Sequence, residues 1–180
     1  MNRKLQWVAA VAVLAVAFHV AIVWAVPRVV MSVAVSKLGG SGALNSFMHP
    51  PRSTDKWRTV VRPSPDLAYS ICALDLSDGP VTIEVPASEP YTSLALYSSI
   101  TDNYYVRNNR QDGGLAEGET IRLLVAATGD MPADLPDGIE AVTAPTEKGL
   151  ALVRRVIEND DAMPRLDALR AVSVCAPQQG

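Results

Sequence analysis

The longest run of hydrophobic residues lies near the N-terminus. Leu5–Val26 contains no Asp, Glu, Lys or Arg, and a helix of this length reaches roughly 33 Å, enough to cross a hydrocarbon core of about 30 Å. The run therefore predicts a transmembrane helix whose partner is the lipid bilayer. The alternative is a secretory signal peptide cleaved after Val23-Trp24-Ala25, although this run is longer than a usual signal sequence of about 7–15 apolar residues.

The pattern after the span predicts a juxtamembrane helix. Arg28, Ser32 and Ser36 are four residues apart, so they form a polar stripe on an otherwise apolar helix that continues the span or lies at the membrane surface. Gly39-Gly40-Ser41-Gly42 is expected to end it. The predicted division is a cytoplasmic tail, a span, a juxtamembrane helix with a linker, a β-rich domain and a short tail, at residues 1–4, 5–26, 27–56, 57–176 and 177–180.

Hydrophobic and polar residues alternate in most of the remaining chain, as is typical of half-buried strands. The clearest alternation is in Val81–Val85, Thr92–Tyr97 and Ile121–Val125, and further strands are predicted at Arg58–Arg62, Tyr69–Leu76, Asn103–Asn108, Ile139–Thr143 and Leu150–Ile157. Turn-forming residues separate them. The pattern predicts a mainly β fold, an antiparallel sandwich or jelly-roll-like domain, with one short C-terminal helix at Asp160–Val172.

Charge is divided unevenly along the chain. Six basic residues and one acid lie between Arg28 and Arg62, whereas eight basic residues and eighteen acids follow Pro63. The acidic outer domain makes nucleic acid an unsuitable partner. The basic stretch is either a collar that contacts lipid headgroups or ordinary solvated charge. Arg3 and Lys4 before the span favour a cytoplasmic N-terminus, hence a single-pass inner-membrane protein whose C-terminal domain is periplasmic or extracellular.

The chain has two cysteines, Cys72 and Cys175, without a CxxC motif or a metal-ligand spacing. They are candidates for one structural disulfide in an oxidising compartment. Two buried free thiols are the alternative. No metal and no cofactor is predicted.

Three stretches carry a family resemblance. They are residues 62–70 (RPSPDLAYS), residues 74–81 (LDLSDGPV), and Tyr91–Leu94 together with Thr101–Asn103. In this order they resemble the proteins that contain the domain of unknown function 1254. The resemblance is clearest from Arg58 to Arg110. It implies a β-rich, jelly-roll-like fold, but no activity, because the family has no established common chemistry.

Polar residues near these stretches are the candidate ligand-binding residues. The turn Pro63–Asp66, stiffened by its two prolines, is expected to present an acid and a tyrosine at a strand entrance. A second group follows on a later strand. Together they would line a polar groove, or serve only to hold the structure; they are Arg62, Asp66, Tyr69, Asp102, Asn103 and Arg107.

Motifs of known catalytic chemistry are missing from the sequence. It has no GxSxG, HExxH or dinucleotide-binding motif, and its two histidines are His19 in the span and His49 in the linker. A domain without histidine argues against a Ser-His pair or a histidine-ligated metal. The sequence favours an envelope protein whose β domain binds a small ligand, a glycan or another envelope protein. The alternative is a periplasmic hydrolase that uses Asp66, Asp102 or another carboxylate, with an arginine to hold an anionic substrate.

Two features inside the span have both a functional and a simple interpretation. His19 is either a functional ionisable group or a neutral imidazole bonded to backbone or to a neighbouring helix. Ala17, Ala21 and Ala25 form a stripe of small residues that is compatible with a homo-oligomer, although alanine is common throughout this segment.

Overall fold

One helix, α1 (Arg3–Ser41), contains both the predicted span and the juxtamembrane segment in the computed structural model of the chain. The structure describes residues 2–41, 44–54, 63–111, 114–116 and 118–178. Pro27 lies within α1, directly after the apolar run, and Arg28 beside it donates from Nη1 to the Trp24 carbonyl 2.6 Å away. The helix is long and apolar enough to cross a membrane over Arg3–Leu38.

The described part of the remaining chain forms nine strands and a second helix. The strands are β1 (Phe47–Met48), β2 (Leu67–Asp75), β3 (Val81–Pro86), β4 (Thr92–Ser98), β5 (Asn103–Asn108), β6 (Thr120–Ala127), β7 (Glu140–Ala144), β8 (Lys148–Val156) and β9 (Val174–Pro177), and a 3-10 turn (Asp160–Ala162) leads into α2 (Met163–Ala171). They build a five-stranded sheet in the order β1-β2-β8-β4-β5 and a four-stranded sheet in the order β7-β6-β3-β9.

The predicted fold class is confirmed: the protein is mainly β and sandwich-like, with a long apolar N-terminal helix and a short helix near the C-terminus. One pairing departs from a purely antiparallel sandwich, because β6 and β7 are parallel. Two strands were not predicted, β1 within the expected linker and β9 at the end of the domain. The strand expected at Arg58–Arg62 lies outside the described residues.

The two sheets face each other across an apolar core. Alternation places every second residue of a strand in this core, so that Val81, Ile83 and Val85 of β3 have no exposed surface while the residues between them are partly exposed. Leu94 and Leu96 of β4 meet them from the opposite sheet. Burying such aliphatic side chains contributes about 1.5–3 kcal/mol each and is the main source of stability for this layer.

A disulfide joins β2 of the five-stranded sheet to β9 of the four-stranded sheet. Cys72 on β2 and Cys175 on β9 are bonded, with Cα atoms 6.6 Å apart and 103 positions between them in the sequence. Both residues are buried. The bond fixes the C-terminal strand β9 to the opposite sheet.

The C-terminal part of α1 packs on the outer face of the five-stranded sheet. Met31 and Val35, one helical turn apart, are buried against Ala73 of β2, and Leu38, Tyr97 and Leu150 pack around them. Asn45 then ties the following turn to β2: its Oδ1 accepts from the Asp75 amide at 2.8 Å and its Nδ2 donates to the Asp75 carbonyl at 2.7 Å. The domain is therefore held directly on the helix.

Removal of the disulfide should destabilise the β domain. For a loop of 103 positions, the chain-entropy description gives about 4–5 kcal/mol, and replacement of native disulfides usually costs about 2–5 kcal/mol. We expect Cys72→Ala/Cys175→Ala to lower the free energy of unfolding by this amount in urea titrations of the full chain in detergent. Reduced wild-type protein should match the double variant. Free alkylation of both thiols in unreduced protein would contradict the bond.

Gly149 should be intolerant of a side chain. A Cβ atom at this position of β8 would lie 2.4 Å from the Tyr97 carbonyl oxygen of β4, whereas one at Gly40 would meet nothing within 4 Å. We expect Gly149→Ala to lower the free energy of unfolding by about 1–3 kcal/mol, and Gly40→Ala to be neutral or slightly stabilising because alanine favours a helix. Equal stability of the two variants in urea titrations would show that β4 and β8 adjust without cost.

Candidate functional site

The candidate residues chosen from the sequence are distributed over the five-stranded sheet. Asp66 precedes β2, and its carbonyl accepts from the Ile157 amide at 2.8 Å. Arg107 of β5 pairs with Leu94 of β4, which lies beside β8 and then β2. Asp66 and Arg107 therefore lie towards the same end of the sheet, but three strand spacings, about 14 Å, separate their strands.

Other candidates lie at the opposite end of that sheet. The carbonyl of Asp102 accepts from the Ser98 amide at 2.9 Å, and Asn103 pairs with Tyr97. The length of β4, about 20 Å, separates this end from the Asp66 end. The hydroxyl of Tyr69 accepts from the Ser64 amide at 2.9 Å and so closes the Pro63–Asp66 turn. Arg62 lies outside the described residues, and the five others are not gathered into one pocket.

Buried arginines form a different polar site between the sheets, next to α2. Arg155 of β8 has no exposed surface and Arg170 of α2 is 4% exposed. We define the arginine cluster as Arg155, Arg170, His49 and Ser70. Strand alternation explains the first: Ala151 and Val153 belong to the core, so Arg155 continues the same inward face. Arg170 lies one turn after the buried Leu166 on the same face of α2.

Arg155 has more hydrogen-bond donors than partners. Its Nη2 donates to the Pro86 carbonyl at 3.0 Å and to Ser173 Oγ at 3.2 Å, which connects the five-stranded sheet to the opposite side of the sandwich. Its Nε and Nη1 are buried and have no partner among the described residues. Burial, and then the charge of Arg170, lower the pKa of Arg155 to about 10, so the side chain is still cationic at neutral pH.

The guanidinium group of Arg170 has two hydrogen-bond partners, and one of its donors has none among the described residues. Its Nη1 lies 2.6 Å from an Asp167 oxygen, and its Nη2 donates to the Pro50 carbonyl. Its Nε is buried without a partner among the described residues, as is the hydroxyl of Ser53 three residues after Pro50. Asp167, whose side chain is 56% exposed, offsets one of the two guanidinium charges.

His49 completes the cluster from the segment before β2. Its Nδ1 lies 2.9 Å from Ser70 Oγ. Burial lowers the pKa of His49, and the neighbouring charges of Arg170 and Arg155 lower it further, while Asp167 opposes them. The expectation that the β domain contains no histidine is therefore wrong, because the expected linker folds onto the domain and brings His49 to Ser70.

This arrangement is suited to holding an anion. An unbonded donor in a buried place costs about 1–3 kcal/mol, more if it is charged. A guanidinium group presents parallel N–H donors that match the oxygens of a carboxylate, phosphate or sulfate. Nε and Nη1 of Arg155 and Nε of Arg170, which have no partner among the described residues, are single charged donors that an anion's oxygens could accept from. Among the described residues, no group of three or more His, Cys, Asp or Glu side chains is placed to hold a metal.

The sequence contained a signal for Arg155 that composition and motif reasoning missed. In the predicted strand Leu150–Ile157, Arg154 and Arg155 are adjacent, so one of the two must point into the sandwich. Arg154 points outwards and donates to the Tyr97 hydroxyl at 3.0 Å. Arg170 had a comparable signal in its helical spacing from Leu166.

Comparison with known proteins identifies relatives of the fold. Residues 44–177 match a family described as "Protein of unknown function (DUF1254)", as the sequence motifs predicted. The VPA0106 protein from Vibrio parahaemolyticus has a similar crystal structure, with a TM-score of 0.67 and 15% identity over 87% of this chain and 37% of that one.

An uncharacterised protein from Burkholderia cenocepacia is more distant, with a TM-score of 0.44 and 15% identity over 63% of this chain and 32% of that one. The chain thus spans about a third of the length of each of these proteins. No curated protein matches it. The similarity to the Vibrio structure supports the fold and carries no activity to this chain.

The lowered pKa of His49 predicts an acid-sensitive step in stability. In the unfolded chain this histidine titrates near 6.5, whereas the folded protein binds the proton only at lower pH. The free energy of unfolding should therefore be highest above pH 6.5 and should fall as the pH drops from there through the folded pKa. His49→Gln should lose this part of the pH dependence, measured by thermal unfolding of the full chain in detergent. His19→Gln is the control, and parallel profiles for wild type and His49→Gln would contradict the interpretation.

Proposed function

The chain belongs to the DUF1254 family of proteins of unknown function, and from this membership and the arginine cluster we propose that it is a membrane-anchored envelope protein whose β domain binds a small anionic ligand. The observation that carries the proposal is the pair of buried guanidinium groups whose N–H donors are not all bonded within the part of the chain that the structure describes. The whole-protein functions of its longer structural relatives do not enter it.

Anchoring and orientation rest on the N-terminal part of the chain. α1 is apolar over a length that crosses a bilayer, and Arg3 and Lys4 before it favour a cytoplasmic N-terminus. The β domain would then face the periplasm or the cell exterior. The Cys72–Cys175 bond suits such an oxidising compartment. The proposal therefore assigns a single-pass topology in the inner membrane.

The ligand is inferred from the donors that would bind it. The guanidinium groups of Arg155 and Arg170 carry two positive charges, and the neighbouring carboxylate of Asp167 offsets one of them. The arginine cluster therefore keeps a net positive charge, and its buried donors outnumber the acceptors among the described residues. An oxygen of a carboxylate, phosphate or sulfate group would accept from Nε or from Nη1 of Arg155, which lie on different sides of the guanidinium group. Because Arg155 is closed to solvent, the ligand is expected to be small. The acidic surface of the domain disfavours larger polyanions.

A second candidate function, hydrolysis of an anionic ester, is favoured by one contact. His49 Nδ1 and Ser70 Oγ are 2.9 Å apart, the reach needed between a base and a nucleophile. A general base must be neutral at pH 7, and the lowered pKa of His49 favours the neutral imidazole at that pH. Ser70 has no exposed surface, which favours binding over turnover. The candidate acids Asp66 and Asp102 lie at opposite ends of the sheet and do not form a carboxylate pair.

Anion binding should stabilise the protein through Arg155 and Arg170. In thermal unfolding of the full chain in detergent, phosphate or succinate should raise the Tm in a saturable manner at constant ionic strength, with chloride as the reference salt. At a concentration of about 100 times Kd, this linkage contributes about 2.7 kcal/mol. Arg155→Lys and Arg170→Gln should lose the saturable increase because each removes donors that face the cluster.

Arg154→Gln is the matched control, since Arg154 is the neighbouring residue on the outer face of β8 and should keep the full increase. An equal increase in all four proteins would indicate a general salt effect, and no increase in folded wild type would refute the proposed ligand class. Ser70→Ala separates the second candidate: it should retain anion binding, and loss of a measured esterase activity in this variant would favour the enzyme.

A further inference from the structure

A polar cleft lies where α1 meets the five-stranded sheet. It has a volume of about 370 Å³, and its polar lining consists of Arg28, Ser32, Ser36, Ser99 and Lys148. Three of these residues are the polar stripe of the juxtamembrane helix. Ser99 follows β4 and Lys148 begins β8, so the domain supplies the opposite wall.

The apolar side of the cleft is the contact between helix and domain. Met31 and Val35 line the cleft and are also buried against Ala73. Residues 31 and 35 lie beside residues 28, 32 and 36 on the helix surface. Packing of Met31 and Val35 on the sheet therefore holds the polar stripe of α1 close to Ser99, and close to Lys148 at the start of β8.

The cleft carries two cationic side chains with donors to spare. Arg28 uses Nη1 for the Trp24 carbonyl and lies with its guanidinium carbon 4.2 Å from the centre of the Trp24 ring. Lys148 Nζ is 3.4 Å from an Asp75 carboxylate oxygen, and the Lys148 side chain is 59% exposed. An arginine has five N–H donors and a lysine three, so both retain donors for an anion, and the three serines add hydroxyl groups.

The position of the cleft along α1 matches the headgroup layer of a bilayer. Arg28 is two residues past Val26, the last residue of the apolar run, which is a rise of about 3 Å along the helix. Headgroups occupy about 5–8 Å on each side of the hydrocarbon core. A span that fills the core therefore places the backbone of Arg28 in the headgroup layer, with Ser32, about 9 Å past Val26, just outside it.

We propose that the cleft binds the phosphate of an anionic phospholipid in the leaflet that faces the β domain. Arg28 and Lys148 contact the phosphate oxygens, and Ser32 and Ser99 donate to the headgroup. The acyl chains extend along the apolar surface of α1 towards the bilayer core. This site is independent of the arginine cluster but rests on the proposed membrane anchoring by α1, and in it the polar stripe forms one wall of a lipid site.

The test is lipid retention by the full chain. Protein is reconstituted in nanodiscs of phosphatidylcholine with a minority of phosphatidylglycerol, released in mild detergent and examined by native mass spectrometry. Wild type should retain phosphatidylglycerol, and Arg28→Gln/Lys148→Gln should retain about thirtyfold less, as two lost cations near an anionic surface imply. Lys37→Gln/Arg122→Gln removes two positive charges outside the cleft and should retain lipid like wild type.

Further arms keep the result decisive. Ser32→Leu leaves both charges and fills the cleft, so it should also lose the lipid. A cooperative thermal unfolding transition in detergent reports whether each variant is folded, and absence of the anion effect at the arginine cluster in wild type would concern only the proposed function. Equal retention in the cleft and control double variants would overturn the site. Stabilisation of wild type by inorganic phosphate through Arg28 and Lys148, without retained lipid, would overturn the lipid assignment in favour of a free phosphate.

Discussion

Burial of one face of each sheet against the other is the interaction on which the rest of the structure depends. It requires the side chains of every core strand to alternate between the inner and the outer face of the sheet. Because Arg155 lies two residues after Val153 on β8, its side chain also points to the inner face, and both are fully buried. The same layer that stabilises the domain thus carries a cation into its interior. A buried charge is costly, and two donor nitrogens of this one have no partner among the described residues.

Local pattern was sufficient to predict most of the fold. The period of two is a property of neighbouring residues, and it located β5 with the same bounds, Asn103–Asn108, that the structure has. β1 and β9 were missed because two and four residues are too few to show a period. β1 exists because Phe47 pairs with Cys72, a partner that no local window contains. The likeness to the DUF1254 family was visible from short motifs for the same reason: they lie within single turns and strands.

The candidate site was much less predictable. The first and last residues of the cluster, His49 and Arg170, are more than a hundred positions apart in the sequence. Only the folded sandwich brings them and Arg155 together. Motif reasoning instead selected residues that are conspicuous in sequence, such as Asp66 and Tyr69, and Tyr69 is used to close a turn. Arg155 follows from the alternation of β8, and Arg170 from its helical spacing in α2. Both can be predicted only after each strand and helix has been assigned an inner face.

The long helix α1 continues through Gly39 and Gly40 to Ser41, and Met31 and Val35 in its C-terminal part pack on the domain. The C-terminal part of α1 and the β domain are thus in direct contact. Hydrophobic helices respond to a change in bilayer thickness by tilting, and a rigidly attached domain must tilt by the same angle. In a membrane-spanning α1, a change in bilayer thickness would therefore change the tilt of the sandwich relative to the lipid surface.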